Sequence, residues 1–170
     1  AVVFEPLAKL GLPASVSEKV KVALSEKRQH PPLDEVIAQT LARLVVAEAR
    51  LGLWPHFQDS FATIAGGLRR TYRDGRRSMK RADSDAALHE WRKRAKDLWY
   101  HIQLLRQIWP PLTESYDAVL DDLSHVLGDH HDLHMLAAST DQRPAGFLEA
   151  VTEKQRRLER RAAELGARIY

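Results

Sequence analysis

The feature that most constrains the fold of this chain is the recurrence of apolar residues at helical spacing between proline-containing breaks. No segment alternates polar and apolar residues with the period of two that marks a half-buried strand. Helices are predicted over residues 15–29, 33–53, 57–82, 85–109, 112–127, 133–138 and 144–170. Short connections place consecutive helices side by side, so the sequence predicts an all-α fold, an antiparallel helical bundle formed as a single domain over residues 1–170.

The predicted helix over 85–109 has the clearest apolar stripe. Its members recur every three or four residues and are Trp91, Ala95, Leu98, Ile102, Leu105 and Trp109. Asp83-Ser84-Asp85 supplies capping side chains at its start. Ser15, with Glu18 three residues later, has the capping-box spacing for the first helix. Gly128-Asp129 is predicted to break the chain between the helices over 112–127 and 133–138.

Charge is unevenly distributed, although the formal net charge is only +3. Residues 66–106 contain twelve Lys or Arg and five Asp or Glu, whereas residues 110–150 contain one Arg and eight Asp or Glu. Such asymmetry indicates an anionic partner for the basic half, or two halves that neutralise each other. The chain has no cysteine, which excludes disulfides, thiolate metal sites and a cysteine nucleophile and is compatible with the cytoplasm.

A row of polar side chains runs along the helix over 85–109. At about 100° per residue these side chains share an arc of about 100°, roughly opposite the apolar stripe and free of acidic residues. The row consists of His89, Arg92, Lys93, Lys96 and Tyr100.

The preceding helix carries a second row and the last helix a shorter third one. The second row is Arg69, Arg73, Arg76 and Lys80, with Arg77 beside it; the third is Lys154, Arg157 and Arg161. Because consecutive helices are neighbours, the first two rows are expected to line one groove. A solvated helix face is the alternative, but like charges four residues apart repel each other, and two single-sign rows together favour an anionic ligand.

Many weak cationic contacts along a groove suit a long polyanion. Arg presents a planar fork to phosphate oxygens, and Lys presents a mobile point charge. Inorganic polyphosphate and nucleic acid both fit this description. Proteins that bind nucleic acid usually also present aromatic residues that stack on the bases. The aromatic residues here mostly fall on apolar stripes, so an anion without bases is favoured.

Histidines and carboxylates leave an enzymatic alternative open. His130 and His134 are four residues apart, which allows metal binding on a helix, with Asp132 close by. Packing and capping roles for these side chains, including a helix cap by Asp129 or Asp132, are the favoured interpretation because no complete metal motif is present. A metal-dependent phosphohydrolase is therefore the third hypothesis, after binding of polyphosphate and binding of nucleic acid, and neither a metal nor a cofactor is predicted.

Three segments together resemble the CHAD family, whose name refers to conserved histidines in an α-helical domain. They are Leu88–Tyr100 (LHEWRKRAKDLWY), the helix before it over Leu68–Arg76, and Leu123–Leu136, which contains LGDHHDL. The resemblance covers roughly Leu41 to Ala138. It implies an all-helical fold of two similar bundles around a basic cavity, binding of inorganic polyphosphate without catalysis, and association with polyphosphate granules in the cytoplasm.

By position, the family's basic motif corresponds to His89, Arg92, Lys93 and Lys96, and its upstream arginine to Arg76. The family carries this motif once in each half, whereas here only one copy is found, in what resembles the second half. Residues 1–32 are therefore expected to be a remnant of the first half, and a dimer is one way to replace the missing half. Neither a signal peptide nor an apolar run of about 20 residues is found, so no membrane association is expected.

Overall fold

The computed structural model describes residues 7–26, 32–53, 61–140 and 144–170. Six helices make up most of these residues, which contain no strand: α1 (Ala14–Glu26), α2 (Leu33–Leu51), α3 (Phe61–Met79), α4 (Asp85–Leu105), α5 (Pro110–Ser139) and α6 (Phe147–Ile169). Helices α3, α4, α5 and α6 each pack against their neighbour in the chain, and α3 also contacts α6. The predicted all-α helical bundle is thus confirmed.

The apolar stripe of α4 forms the centre of the bundle. Trp91, Ala95, Leu98 and Ile102 are buried, together with leucines of α5 and the end of α6. The close approach of α6 depends on Gly166, where an added Cβ atom would lie 2.7 Å from the Trp91 ring. Full burial of one large apolar side chain contributes about 1.5–3 kcal/mol, so this stripe fixes the orientation of α4 and of its opposite face.

Local signals at both ends of α4 explain its limits. Ser84 is extended and its side-chain oxygen accepts a hydrogen bond from the Ala87 backbone N–H, so the predicted cap cluster is confirmed. The helix ends at Leu105, four residues earlier than predicted, and Trp109 is 62% exposed rather than part of the core. Pro110 and Pro111 then occupy the first turn of α5, where a missing N–H costs nothing.

Helix α5 is continuous through Gly128-Asp129, so the predicted break and the separate helix over 133–138 were wrong. A single glycine inside a helix costs only about 1 kcal/mol relative to alanine, and burial of Leu123, Leu127 and Leu133 outweighs that cost. Because the helix does not end there, Asp129 and Asp132 cap no helix terminus.

A second buried cluster joins the start of the described chain to the far end of α5. Leu7, Val20 and Leu24 pack with Leu136 of α5 and Phe147 of α6. Helix α1 begins at Ala14, so Ser15 lies inside the helix instead of capping it. This cluster brings the segment before α1 alongside α5.

Helix α2 has the amphipathic pattern of a packed helix but contains no buried residue. Its apolar side chains, among them Ile37, Leu41 and Leu44, are about half exposed. It ends at Leu51, and the predicted start of the next helix at residue 57 lies outside the described residues. Among the described helices, none is both long enough and apolar enough to cross a bilayer.

Candidate functional site

The polar row of α4 lies largely at the edge of the bundle rather than in open solvent. His89, Arg92 and Lys96 are half-buried, whereas Lys93 and Tyr100 are exposed. Burial of the apolar stripe against α5 and α6 turns the first three toward α5. The predicted opposition between an apolar face and a basic face of this helix is therefore present, with the basic face partly covered.

A cleft of about 470 Å³ opens where α4 meets α5. Arg92, Lys96 and Trp99 of α4 form one wall. The other lining residues come from α5 and from the segment before α1: Asp121, Ser124, His125, Gly128, Asp129, Asp132 and Lys9. We call this cleft the α4–α5 groove.

Gly128 lets the Arg92 side chain lie across α5. A Cβ atom added at Gly128 would lie 3.7 Å from Arg92 Nε, which is ordinary contact, but a longer side chain would enter the space of the guanidinium group. The absence of a side chain at this position in α5 therefore keeps the floor of the groove open beside Arg92.

Three buried polar atoms at or beside the groove have no hydrogen-bond partner among the described residues. They are Arg92 Nε, His89 Nδ1 and Ser124 Oγ. An unsatisfied buried polar group costs about 1–3 kcal/mol, and more when it is charged. A ligand that accepts hydrogen bonds from Arg92 would offset part of this cost.

The groove also contains carboxylates. Lys9 Nζ lies 2.9 Å from Asp129 Oδ1, so the segment before α1 neutralises one of them. Asp121 Oδ1 lies 3.3 Å from Nδ1 of the exposed His125. No carboxylate lies within ion-pair distance of Arg92 or Lys96 among the described residues. The cationic wall on α4 is thus separate from the acidic wall on α5.

Glu90 neutralises part of the α4 row from outside the arc. Its carboxylate lies 2.7 Å from Arg94 Nη2 and 3.5 Å from Lys93 Nζ. Desolvation by itself would raise the pKa of Glu90, but Arg94 and Lys93 together lower it. Lys93 therefore shares its charge with an acid, and Arg92 and Lys96 are the two cations of the row that remain for a ligand.

His89 and His131 face each other across the interface of α4 and α5, one helical turn from Arg92. Their ring centroids are 4.4 Å apart with the planes tilted by 31°. Desolvation, followed by the neighbouring His89 and Arg92, lowers the pKa of His131. At neutral pH His131 is therefore uncharged, because a proton there would lie beside other cationic groups.

The other two histidines of α5 have structural partners. His130 is buried, with Nε2 3.2 Å from Glu159 Oε1 on α6, and His134 Nδ1 lies 3.0 Å from Asp85 Oδ2. Within the described ranges, no group of three or more His, Asp or Glu side chains has an arrangement that could hold a metal ion. These contacts fit the packing role for His130 and His134.

The rows on α3 and α6 lie outside the α4–α5 groove. The α3 row, which consists of Arg69, Arg73, Arg76, Arg77 and Lys80, is exposed along its length. None of these residues lines the α4–α5 groove. On α6, Arg157 is paired with Glu153 at 2.8 Å and Arg161 with Glu164 at 3.3 Å, and Lys154 is half-buried.

Sequence reasoning did not predict the α5 side of this region or the contribution of the segment before α1. Lys9 is 120 positions from Asp129, and no local pattern predicts that contact. Ser124, Gly128 and His131 lie on one side of α5, but the predicted break at Gly128-Asp129 hid that alignment. A continuous helical count from Leu123 to Leu133 would have placed these three residues together.

Comparison with known proteins gives one match. The family model described as CHAD domain matches residues 7–141, a longer stretch than the segments that carry the resemblance. No curated protein matches. No solved structure matches either.

Proposed function

This chain belongs to the CHAD domain family, and from that membership we propose that it binds inorganic polyphosphate through the α4–α5 groove and the adjoining basic rows. Domains of this family are linked in general to the binding of polyphosphate and triphosphate. We assign the central phosphate contacts to Arg92 and Lys96, with Lys93 and His89 beside them. Arg69, Arg73 and Arg76, which are exposed on α3, would add long-range attraction for the ligand.

One observation carries this proposal: Arg92 and Lys96 line an open groove with no carboxylate in ion-pair distance, and Arg92 Nε is buried without a partner among the described residues. Hydrogen bonds between a guanidinium group and phosphate oxygens are charge-assisted and about twice as strong as neutral ones. A phosphate group at Arg92 would satisfy the donor and also reduce the repulsion along the row.

A polymeric ligand suits the arrangement better than a single small anion. Lys93 and Tyr100 of the α4 row are exposed beside the groove, so a chain bound at Arg92 and Lys96 could extend past them. The exposed row on α3 offers further cations outside the groove. Additional phosphates would each contribute a weak, salt-sensitive contact, so affinity should rise with chain length.

We further propose that binding involves no catalysis by this domain. Ser124 is the buried hydroxyl group of the groove, and no base lies within hydrogen-bond distance of its oxygen among the described residues. A hydroxyl nucleophile requires an adjacent general base. Association with polyphosphate granules in the cytoplasm follows as part of the same proposal, since a granule presents many chains to one surface.

Charge reversal of the α4 row tests the proposal. The variant Arg92→Glu, Lys93→Glu, Lys96→Glu should bind polyphosphate of defined length at least about a hundredfold more weakly, because several charge-assisted contacts of about 1.5–3 kcal/mol each are lost. Lys93 is exposed and Arg92 and Lys96 line the groove, so none of the three belongs to the core stripe and helicity measured by circular dichroism should remain. Binding is measured by titration calorimetry at fixed salt.

The matched control reverses three cations outside the rows: Lys19, Arg43 and Arg50, all exposed. It changes the net charge by the same amount, so a similar loss of affinity would show that only overall charge matters. Wild-type affinity in the α4 variant would refute the assigned site. Displacement of polyphosphate by an equal charge concentration of DNA or RNA would instead favour the nucleic-acid function.

A further inference from the structure

A pair of histidines lies beside Arg92 at the interface of α4 and α5, and the proposed function described so far uses only one of them, His89. The rings of His89 and His131 approach within 4.4 Å from two different helices. Nδ1 of His89 is buried without a partner among the described residues. In contrast, His130 and His134 have carboxylate partners.

We propose that His89 and His131 form a proton-coupled phosphate subsite, in which a bound phosphate group is accompanied by uptake of a proton on the histidine pair. This inference rests on the proposed function and adds regulation by pH to the same site. The subsite extends the cations of α4 by one residue of α5, His131.

The charged groups around the two histidines explain why His131 is protonated only when the ligand is bound. Arg92 and His89 of α4 disfavour a positive charge on His131. On α5, His134 also disfavours this charge, whereas Asp132 favours it. The acid that α6 contributes near this cluster, Glu159, is hydrogen-bonded to His130, and Lys9, from the segment before α1, is paired with Asp129. The free protein therefore favours a neutral ring at His131.

A phosphate group reverses this balance. Its negative charge lies on the Arg92 side of the pair and favours the charged imidazolium form, which donates hydrogen bonds from both nitrogens. By linkage, a ligand that raises the pKa of His131 binds more tightly as pH falls, between the pKa of the complex and that of the free protein. Below both values the effect levels off, since the ring is then charged with or without ligand.

The size of the effect follows from one linked proton. Affinity rises by at most about tenfold for each pH unit within the window, because one proton is taken up for each ligand bound. Phosphate groups have a second pKa of about 6, so the end groups of the ligand titrate in the same range. Comparison of variants at the same pH removes that contribution.

The experiment measures the dissociation constant for polyphosphate of defined length from pH 5.5 to 8.5 at constant ionic strength. Wild type is compared with His131→Gln, which cannot be charged, and with His101→Gln, an exposed histidine of α4 that does not line the groove. We expect wild type and His101→Gln to gain about three- to tenfold more affinity than His131→Gln between pH 8.5 and pH 5.5. Titration calorimetry in two buffers of different ionisation heat should show fewer protons taken up by His131→Gln.

Parallel pH curves for wild type and His131→Gln would overturn the subsite while leaving the proposed function intact. Absence of binding in wild type at every pH would instead refute the proposed function itself. If His131→Gln does not fold, the pKa of His131 is measured by NMR in the wild-type protein with and without polyphosphate. A pKa that does not rise when the ligand binds would overturn the inference equally well.

Discussion

The basic rows of α3 and α4 look alike in the sequence and differ in the structure. Both place cations at intervals of three and four residues on one helical face. In α4 the face meets α5, so Arg92 and Lys96 are half-buried in a groove, whereas every cation of the α3 row is exposed. Helical spacing defines which side chains share a face, but the neighbouring helix determines whether that face becomes a site.

The difference has an energetic consequence. An exposed cation keeps its hydration, and its contribution to stability is small. A half-buried guanidinium with an unpartnered donor loses hydration without compensation in the free protein. We therefore expect the α4 row to dominate ligand affinity and the α3 row to contribute screened, long-range attraction.

Reversing the charge of each row separately should give the largest difference in polyphosphate affinity. Reversal of Arg92, Lys93 and Lys96 to Glu should weaken polyphosphate binding at least about a hundredfold, since direct charge-assisted contacts are lost. The same reversal of Arg69, Arg73 and Arg76 should weaken it by about tenfold, because only screened surface attraction is removed. Both variants are titrated with the same ligand at 150 mM salt, roughly physiological ionic strength.

The ratio between the two losses is the informative quantity. If both variants lose affinity equally, the two rows act as one surface and the distinction drawn from burial is wrong. A higher salt concentration should shrink the α3 effect more than the α4 effect, because exposed charges are screened more strongly than half-buried ones.

Gly128 offers a second way to test the importance of the groove. Gly128→Leu should place a side chain against Arg92 and weaken binding by about tenfold, whereas Gly128→Ala, whose Cβ atom meets Arg92 at ordinary contact distance, should leave binding unchanged. Alanine is favoured over glycine inside a helix by about 1 kcal/mol, so Gly128→Ala should raise the melting temperature by about 2–4 °C. Calorimetry of binding and of thermal unfolding measures both effects.

Gly166 is the control position, because a substitution there perturbs the packing of the fold without filling the groove. At Gly166 an added Cβ atom would lie 2.7 Å from both the Trp91 ring and Met79 Sδ, so Gly166→Ala should destabilise the protein by about 1–3 kcal/mol. Tighter or unchanged polyphosphate binding by Gly128→Leu would show that the ligand does not enter the groove beside Arg92.

The same comparison shows how far sequence reasoning extends. Local rules predicted the start of α4 from Ser84 and its buried face from Trp91, Ala95 and Leu98, because capping and periodicity depend on nearby residues. The same periodicity in α2 led to no burial, since an apolar stripe is buried only where another surface meets it. Apolar periodicity therefore predicted the helices better than it predicted the core.

The candidate site shows the same limit. Its α4 wall, including Arg92 and Lys96, was predicted from spacing on a single helix. The opposite wall was missed because a conventional helix-breaking signal at Gly128-Asp129 was overridden by packing along α5. Contacts between residues far apart in the sequence, such as Lys9 with Asp129, come from tertiary packing of the cluster that holds Leu7.

Removal of Lys9 gives the smallest expected effect and tests the edge of the groove. Its ion pair with Asp129 is partly exposed, so Lys9→Gln should change the free energy of unfolding by less than about 1 kcal/mol. Binding should weaken by a few-fold, because one cation is lost at the groove and the Asp129 carboxylate then repels phosphate. Lys21→Gln, which removes a partly exposed ion pair with Glu18 on α1, is the control. Equal affinities for the two variants would restrict the site to the α4 wall, and a weaker Lys9→Gln would extend it to the segment before α1.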